Sequence, residues 1–212
     1  MLFGLGERLR RTLVAAEYWR VYLAGRHLNI EYVVRYLRAP NPQLVPRILR
    51  AFGATVGERT SFKYSLCLDN VTSDANSTGT FSHLHIGDNC YVGDGVYFDL
   101  ADEVWIGGNS MVSGRASFVT HEDCNRSEWL FSVFPRQTAP IRVEEGSWIG
   151  FGSILLLGAV VGECGMIAAN SLVRGQTAPR CLYAGMPARL IRQLGRFQRQ
   201  PITEGIAMGR DE

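Results

Sequence analysis

The clearest pattern in the chain is an apolar residue that recurs at every sixth position. The positions are Val143, Ile149, Leu155, Val161, Ile167 and Val173. A period of six fits neither an α-helix nor a plain strand, and it is typical of a parallel β-helix, whose repeat is one short strand and a turn. The apolar side chains then point into a triangular prism with about 18 residues per coil. The alternative, a run of buried strands in an ordinary sheet, would alternate by two.

Small residues follow the apolar position in several of these repeats, at Gly150, Gly162 and Ala168. We expect them where the backbone turns tightly, because Gly tolerates the positive φ that such a turn often needs. The same spacing begins at Ala54 and returns after the polar stretch 71–80, for which a loop and strands with polar outer faces are both open. The earlier repeat positions are Val56, Phe62, Leu68, Ile86, Val92, Phe98 and Val104, and after a slip of two residues Ile106, Val112 and Phe118. Such slips predict loops that leave a corner of the prism.

One long interruption, from Glu122 to Pro140, breaks the spacing for a whole coil. It contains Trp129, Phe131 and Phe134. A long loop in a compact repeat protein is usually functional or covers apolar surface. We expect both here, since aromatic side chains are costly to leave in water.

The first 53 residues read as helical. Leu5, Leu9, Leu13 and Ala16 recur at helical spacing, a second helix fits 29–38, and a third runs from Pro42 to a closing Gly53. Because the end coil of a solenoid exposes its core, a terminal cap is required, and residues 1–53 are predicted to supply it. Packing against a neighbouring subunit is an equally ordinary role for this segment.

The end of the chain is predicted to be a capping helix followed by a mobile tail. Pro187 stands near the start of the helix, and its apolar face is formed by Leu190, Ile191, Leu194 and Phe197. Residues 198–212 have no periodicity. The predicted division is therefore a helical cap at 1–53, a β-helix at 54–186 with the extended loop 122–140, and a helix with a tail at 187–212.

Charge is unevenly distributed along the 212 residues, although the net charge is only +2. Residues 1–53 carry nine Arg and three Glu, which gives +6 and leaves −4 for the remainder. This basic start is open to a second interpretation, contact with an anionic membrane surface. The five scattered cysteines and the lack of a signal peptide predict the cytoplasm, with the inner face of the membrane as an option. We expect no nucleic-acid binding, since no groove-reading motif accompanies the arginines.

Three segments, together with the repeats, carry a resemblance to a known family. They are TAPIRVEEGSWIG at 138–150, GAVVGECGMIAANSLV at 158–173 and AGMPARLIR at 184–192. The sequence resembles the hexapeptide-repeat acetyltransferases, and the colanic-acid and exopolysaccharide O-acetyltransferase branch looks most similar. The resemblance implies a left-handed parallel β-helix, a homotrimer with its active site between subunits, acetyl-CoA as co-substrate, no metal, and a sugar or polysaccharide-precursor acceptor.

His121 stands where this family has its catalytic histidine, at the root of the long loop. A neutral imidazole can accept the proton of a hydroxyl as its oxygen attacks a thioester, and a histidine with an unperturbed pKa of about 6.5 is suited to this task. Glu122, Asp123 or a backbone carbonyl are alternatives for the group that orients the ring. The sequence does not choose among them.

The resemblance also implies two sets of binding residues. The coenzyme contacts are Phe151, Ala169, Arg174, Arg189 and Arg192; the expected acceptor contacts are Trp129, His83 and Asp99. Arg189 and Arg192 suit the phosphates of the coenzyme, although a solvated helix face would carry the same arginines. Gly93 replaces an acceptor-binding Asn of related branches, so the acceptor stays open. An antibiotic or an amino sugar is an alternative acceptor.

A His-x-His pair, His83 and His85, suggests a different function, because γ-class carbonic anhydrases share the fold and bind zinc through three histidines. No HxxxxH pattern accompanies His121, and we expect the pair to point to opposite faces of its strand. Metal catalysis is therefore the weaker alternative. A non-catalytic hexapeptide scaffold is a further one, which the VTH and AGMPAR motifs disfavour.

Overall fold

The computed structural model describes residues 2–195, with side chains from residue 6 onward. Four helical segments come first: α1 Leu2–His27, α2 Glu31–Tyr36, a 3-10 helix Pro42–Leu44 and α3 Val45–Ala51. Short strands follow. They are β1 Thr55–Val56, β2 Ser61–Phe62, β3 Leu66–Asp69, β4 Leu84–Ile86, β5 Tyr91–Val92, β6 Val96–Asp99, β7 Val104–Ile106, β8 Met111–Val112, β9 Ser117–Val119, β10 His121–Glu122, β11 Gln137–Thr138, β12 Ile141–Val143, β13 Trp148–Ile149, β14 Ile154–Leu156, β15 Val160–Val161, β16 Met166–Ile167, β17 Leu172–Val173, β18 Cys181–Ala184 and β19 Arg189–Gln193.

The strands stack into three mainly parallel sheets, which are the faces of a prism. Sheet A has the order β1-β4-β7-β12-β15, sheet C has β3-β6-β9-β14-β17, and sheet B has β2-β5-β8-β13-β16-β18-β19. The six residues of the strict repeat are all buried in the shared core, at 2% exposure or less. Val143 pairs with Val161 and Ile149 with Ile167, so one undisturbed coil takes 18 residues. The predicted parallel β-helix is confirmed.

Every departure from the repeat lies at one corner of the prism. Paired positions in sheet A, namely Val56, Ile86, Ile106, Val143 and Val161, are 30, 20, 37 and 18 residues apart. Relative to an 18-residue coil, the excess is 12, 2 and 19 residues. The excess always falls between a strand of sheet C and the next strand of sheet A. We name this edge the insertion corner, and its three insertions are residues 70–83, 100–103 and 120–140.

The glycines that follow the repeat position serve a purpose that the sequence did not reveal. Gly150 and Gly162 do not have positive φ, so that expectation was wrong. A Cβ on Gly150 would lie 2.5 Å from the backbone nitrogen of Ala169 in the next coil, so Gly is needed because neighbouring coils touch. The left-handed backbone occurs two residues after these small positions, at Gly152 and Asn170.

The predicted N-terminal helices are present and pack onto the first coil. Asn29 accepts a hydrogen bond from the backbone N–H of Glu31 at the start of α2, and Gly53 has a φ of 103° just after α3. The buried residues of α2 and α3 belong to the same core cluster as the strands. The carbonyl of Leu37 accepts a hydrogen bond from the N–H of Leu66 in β3. Within residues 2–195, no helix combines the length and the apolar character needed to cross a membrane.

The predicted C-terminal helix is wrong. Residues 189–193 form β19, which runs antiparallel to β18 at the end of sheet B. The last coil leaves unpaired backbone groups at this sheet edge, and a hairpin satisfies them whereas a helix would not. Phe197 and the predicted tail at 198–212 lie outside the described residues.

Candidate active site

The candidate site is built at the insertion corner around His121. The third insertion leaves the prism after β9, and its two ends pair as a short antiparallel hairpin of β10 and β11. His121 is the first residue of this hairpin and faces Thr138. Its side chain is 25% exposed. The ring is therefore held by regular structure while one side of it can reach solvent.

Asp99 holds this imidazole from below. Asp99 is the last residue of β6 and is completely buried. Its Oδ2 lies 2.6 Å from Nδ1 of His121 and accepts backbone hydrogen bonds from Thr120 at 2.8 Å and from His121 at 3.1 Å. Its Oδ1 accepts hydrogen bonds from Nδ2 of Asn70 at 2.7 Å and from the N–H of Ala101 at 3.1 Å. All three insertions thus supply hydrogen-bond donors to the one carboxylate of Asp99.

The ionisation of Asp99 determines which nitrogen of the His121 ring carries the proton. Burial by itself would raise the pKa of Asp99, but the hydrogen bonds from Asn70, His121 and the N–H of Ala101 outweigh it and lower that pKa below its ordinary value. An ionised carboxylate only accepts hydrogen bonds, so Nδ1 of His121 carries the proton. No hydrogen bond joins Nε2 to another group among residues 2–195. The basic lone pair of the ring is therefore free.

A cleft of about 710 Å³ opens beside His121. One wall comes from the first insertion and the other from the third. The lining residues are Asn70, Ser73, Asp74, Ala75, His121, Asp123, Cys124, Asn125, Arg126, Ser127 and Arg136. This volume is within the usual range of small-molecule sites. The amide, hydroxyl and charged groups of its walls favour a polar ligand.

An ion pair joins the two walls. Nη2 of Arg136 lies 2.5 Å from Oδ1 of Asp74, and both side chains are mostly buried. Burial raises the pKa of Asp74, but hydrogen bonds from the N–H of Asn76 and from Arg136 lower it further than burial raises it. Nε of Arg136 is buried without a hydrogen-bond partner. The first and third insertions are therefore held together beside the imidazole.

The groups that the sequence offered to orient His121 are engaged elsewhere. Oε1 of Glu122 accepts a hydrogen bond from Arg174 at 2.6 Å, and Asp123 lies 3.9 Å from Arg136. The sequence interpretation placed Asp99 against the acceptor, and the structure places it under the ring instead. Because Asp99 is completely buried, its contacts are with protein groups.

The other two expected acceptor contacts do not line the cleft. Trp129 is 87% exposed on the third insertion. His83 lies half-buried before β4, with its Nδ1 2.9 Å from the carbonyl oxygen of Leu100. Their expected contact with an acceptor stays a prediction.

The five expected coenzyme contacts occupy three places. Phe151 and Ala169 lie in successive coils at the corner between sheets B and C, where the N–H of Asn170 donates to the carbonyl of Phe151 at 2.8 Å. Arg174 follows β17 at the insertion corner. The remaining two arginines lie exposed on β19 rather than on a helix. Their contact with a coenzyme stays a prediction.

The His-x-His pair also differs from expectation. Residues two apart in a strand share a face, so the expectation of opposite faces for His83 and His85 was wrong. The ring of His85 stacks on Trp105 with 3.8 Å between centroids, and burial lowers the pKa of His85. Residues 2–195 contain no group of three His, Cys, Asp or Glu side chains that could hold a metal ion.

Sequence reasoning missed Asn70, Asp74 and Arg136, and it missed the orienting function of Asp99. A usable signal existed, since every slip in the repeat follows a strand of sheet C. Numbering the coils would have brought 70–83 and 120–140 to one corner. The distance between Asp99 and His121 has no such local signal.

The known proteins that this chain resembles in sequence and in fold are acetyltransferases, with hexapeptide-repeat acetyltransferases among the solved structures. No protein-family model matches the chain. Galactoside O-acetyltransferase of Escherichia coli is 29% identical over 119 residues, which are 53% of this chain and 55% of that protein. The putative colanic acid biosynthesis acetyltransferase WcaF of Escherichia coli is 26% identical over 157 residues, 72% of this chain and 79% of that protein.

Solved structures agree with these relatives. The hexapeptide-repeat acetyltransferase VCA0836 of Vibrio cholerae superposes with a TM-score of 0.65 at 18% identity, over 85% of this chain and 90% of that chain, and it has also been solved with acetyl coenzyme A. At such identity the likeness shows the fold, which is the left-handed β-helix. The resemblance found in the sequence is confirmed. The chain spans about half the length of the galactoside enzyme that it matches.

Proposed function

We propose that this protein is an acetyl-CoA-dependent O-acetyltransferase that acts on a hydroxyl of a sugar or polysaccharide precursor. One observation carries the proposal: a buried, ionised Asp99 fixes Nδ1–H of His121, so that Nε2 is a free base beside an open polar cleft. The named relatives, which are sugar and polysaccharide acetyltransferases, support the same chemistry.

In the proposed reaction, Nε2 of His121 accepts the proton of the acceptor hydroxyl as that oxygen attacks the thioester carbonyl. Asp99 stabilises the imidazolium that forms, because its carboxylate lies 2.6 Å from Nδ1. The imidazolium then returns the proton to the departing sulfur. The products are the acetyl ester and free coenzyme A, and no acetylated enzyme forms.

The acceptor class follows from the walls of the cleft. Asp74, Asn125 and Ser127 offer acceptors and donors that suit several hydroxyl groups at once, and Arg126 and Arg136 add cations. Such a lining recognises a polyhydroxylated ring better than an apolar molecule. A sugar therefore fits better than a lipid chain or an aromatic drug.

In this proposal the coenzyme lies along the outside of sheet C. This face joins the corner of Phe151 and Ala169 to the insertion corner. Ser117, Ile154 and Leu172 stand in register on its outer side and are half-exposed, which suits an extended pantetheine arm. Arg174 at one edge, together with Arg189 and Arg192 on β19, offers cations to the phosphates.

We also propose a homotrimer in which the tip of the third insertion packs against the adjacent chain. The tip exposes Trp129, Phe131 and Phe134 at 87%, 52% and 67%. Side chains of this size are rarely grouped in water on a monomer. In the same assembly α2 and α3 would cap the first coil, since they pack into its core.

Replacement of the base tests the function. His121→Ala should lower kcat by about 10² to 10⁴-fold in transfer from acetyl-CoA to a sugar acceptor, with binding of acetyl-CoA retained. His27→Ala, at an exposed histidine outside the cleft, is the matched control and should leave kcat unchanged. A chelator should have no effect on the wild-type rate. Near-normal turnover of His121→Ala would disprove the mechanism.

The coenzyme site has its own test. Arg189→Glu combined with Arg192→Glu should raise KM for acetyl-CoA far more than KM for the acceptor, because opposite charge repels the phosphates. Arg35→Glu combined with Arg38→Glu, at two exposed arginines far from β19 in sequence, changes the net charge equally and is the control. Equal acetyl-CoA kinetics in both variants would remove β19 from the coenzyme site.

A further inference from the structure

Helix α1 has two apolar sides, and only one of them is covered. Tyr18 and Val21 are buried on the side that faces α2 and α3. Gly25 lies so close to those helices that a Cβ there would be 2.4 Å from Cγ2 of Val33. This side is fully used by the packing of the N-terminal helices.

The opposite side carries an exposed apolar stripe. With about 100° per residue, its members lie within roughly 120° of the helix circumference. The stripe consists of Leu9, Leu13, Ala16, Trp19 and Leu23, of which the four large side chains are 61%, 61%, 52% and 48% exposed. It extends over roughly 20 Å at 1.5 Å per residue. Apolar side chains aligned in this way indicate a surface that is covered in use.

Positive charge surrounds the stripe. Arg8 and Arg10 flank Leu9 on its two sides, and Arg26 lies on the same side as Arg8. Arg20 lies within the arc of the stripe and donates a hydrogen bond to the hydroxyl of Tyr32. All four are exposed, and no ion pair among the described residues involves them. The acidic side chains of α1, Glu7 and Glu17, interact with other groups. Glu7 pairs with Arg11, and Glu17 accepts hydrogen bonds from Tyr36 and Asn41.

We propose that α1 lies in the headgroup region of an anionic membrane, with this stripe turned toward the acyl chains. Charge complementarity selects the occupant. A second copy of the chain would place like-charged arginines against each other, whereas anionic lipids offer phosphates along the whole helix. Arg side chains can lie along apolar surface with their heads among the phosphates. Interfacial binding of this type combines buried apolar area with attraction to anionic lipid.

The docked helix would also fix the position of the cleft. Oγ1 of Thr72 donates a hydrogen bond to Oε1 of Glu31 at 2.7 Å, and this contact joins α2 to the first insertion. That insertion forms one wall of the cleft. The membrane inference itself rests on α1 alone and is independent of the proposed catalysis.

Cosedimentation of the full chain with vesicles tests the inference. Wild type should bind vesicles of phosphatidylcholine with phosphatidylglycerol and should not bind phosphatidylcholine alone. Leu9→Gln with Leu13→Gln should weaken binding at least about tenfold, because each loses apolar burial while charge stays constant. Leu28→Gln, at a leucine that is 80% exposed beyond the end of α1, is the matched control and should bind like wild type.

A second arm separates charge from apolar contact. Arg8→Gln with Arg10→Gln should weaken binding by about fivefold per arginine, and added salt should reduce this difference. Circular dichroism must show unchanged helix content in each variant. Equal binding to neutral vesicles, no binding of wild type, or an equal loss in Leu28→Gln would overturn the proposal. Loss of oligomers in the Leu9, Leu13 variant without any vesicle binding would assign the stripe to a second copy.

Discussion

Two corners of the prism keep a strict spacing, and the third does not. From sheet A to sheet B and from sheet B to sheet C, inward residues are always six apart, as in Val92 to Phe98 and Val112 to Phe118. From sheet C to sheet A the spacing varies, and every insertion leaves there. The strict corners build the scaffold, and the insertion corner supplies all the groups of the candidate site.

Packing explains why the difference is so complete. At a strict corner the backbones of adjacent coils touch, and a Cβ on Gly87 would lie 2.5 Å from the nitrogen of Gly108. The contact between adjacent coils therefore leaves no space for an added residue. At the insertion corner the chain leaves the prism outward, so each insertion can grow without disturbing the stack. The candidate cleft is therefore assembled at the corner where the packing of the core constrains the chain least.

The largest contrast should come from a single added residue. One Ala inserted between Asp94 and Gly95, at a strict corner, shifts the following strand by one position and turns its inward side chains outward. We expect loss of cooperative unfolding. One Ala inserted between Ser132 and Val133, in the third insertion, should change the free energy of unfolding by less than about 0.6 kcal/mol. Urea unfolding of both proteins checks this, and equal tolerance would break the comparison.

A core substitution should separate stability from activity. Phe118 is completely buried and stacks on Phe98 with 4.9 Å between ring centroids. Phe118→Ala should cost about 3–5 kcal/mol of unfolding free energy. His121→Ala, three residues away, should cost far less stability while removing most turnover, because its ring is partly exposed at the rim of the cleft. Similar urea midpoints for the two variants would show that the corner is part of the core.

Asp99 belongs to both regions, because it is buried like the residues of the scaffold and is hydrogen-bonded to His121 in the candidate site. Asp99→Asn should cost about 1.5–3 kcal/mol at pH 7, the range for hydrogen bonds to a charged group. The folded pKa of Asp99 is lowered, so its contribution is present above the unfolded value of about 3.9 and is lost as pH falls through the lower folded pKa. The stability difference between wild type and variant should therefore shrink below about pH 4. A difference that is constant from pH 7 to pH 3 would show that Asp99 is not ionised.

The smallest effect should come from the exposed ion pair between Arg174 and Glu122. Both side chains are largely exposed, at 63% and 46%. Arg174→Gln should change stability by less than about 1 kcal/mol, since solvent screens such pairs. A larger loss, measured by thermal unfolding at low and high salt, would mean that this pair closes the insertion corner.

Much of the fold could be predicted from local spacing. The repeat from Val143 to Val173 predicted the six strands from β12 to β17, and the spacing between Pro42 and Gly53 predicted the third helix. The error at Leu190 and Ile191 has a different origin. Their spacing suits a helix, but the open edge of sheet B pairs them as a strand, and such tertiary pairing overrides local preference.

The candidate site was only partly predictable. His121 was identified by resemblance and lies beside the cleft, but its partners Asp99 and Asn70 come from earlier coils. No pattern along the chain links a carboxylate to an imidazole 22 residues later. The glycines were likewise placed correctly but explained wrongly, because contact between coils does not appear in the spacing of one coil.

The sequence by itself determined which residues face inward, since a period of six assigns each apolar side chain to the prism. It also determined where the repeat stops. Only the tertiary structure decided how the interruptions of the repeat are placed relative to one another. Stacking brings interruptions that are far apart in sequence to one corner, where Asp99 is buried beneath His121 and is stabilised as an anion by donors from three coils. The physical reason is that burial and convergence depend on contacts between coils, which short-range periodicity does not encode.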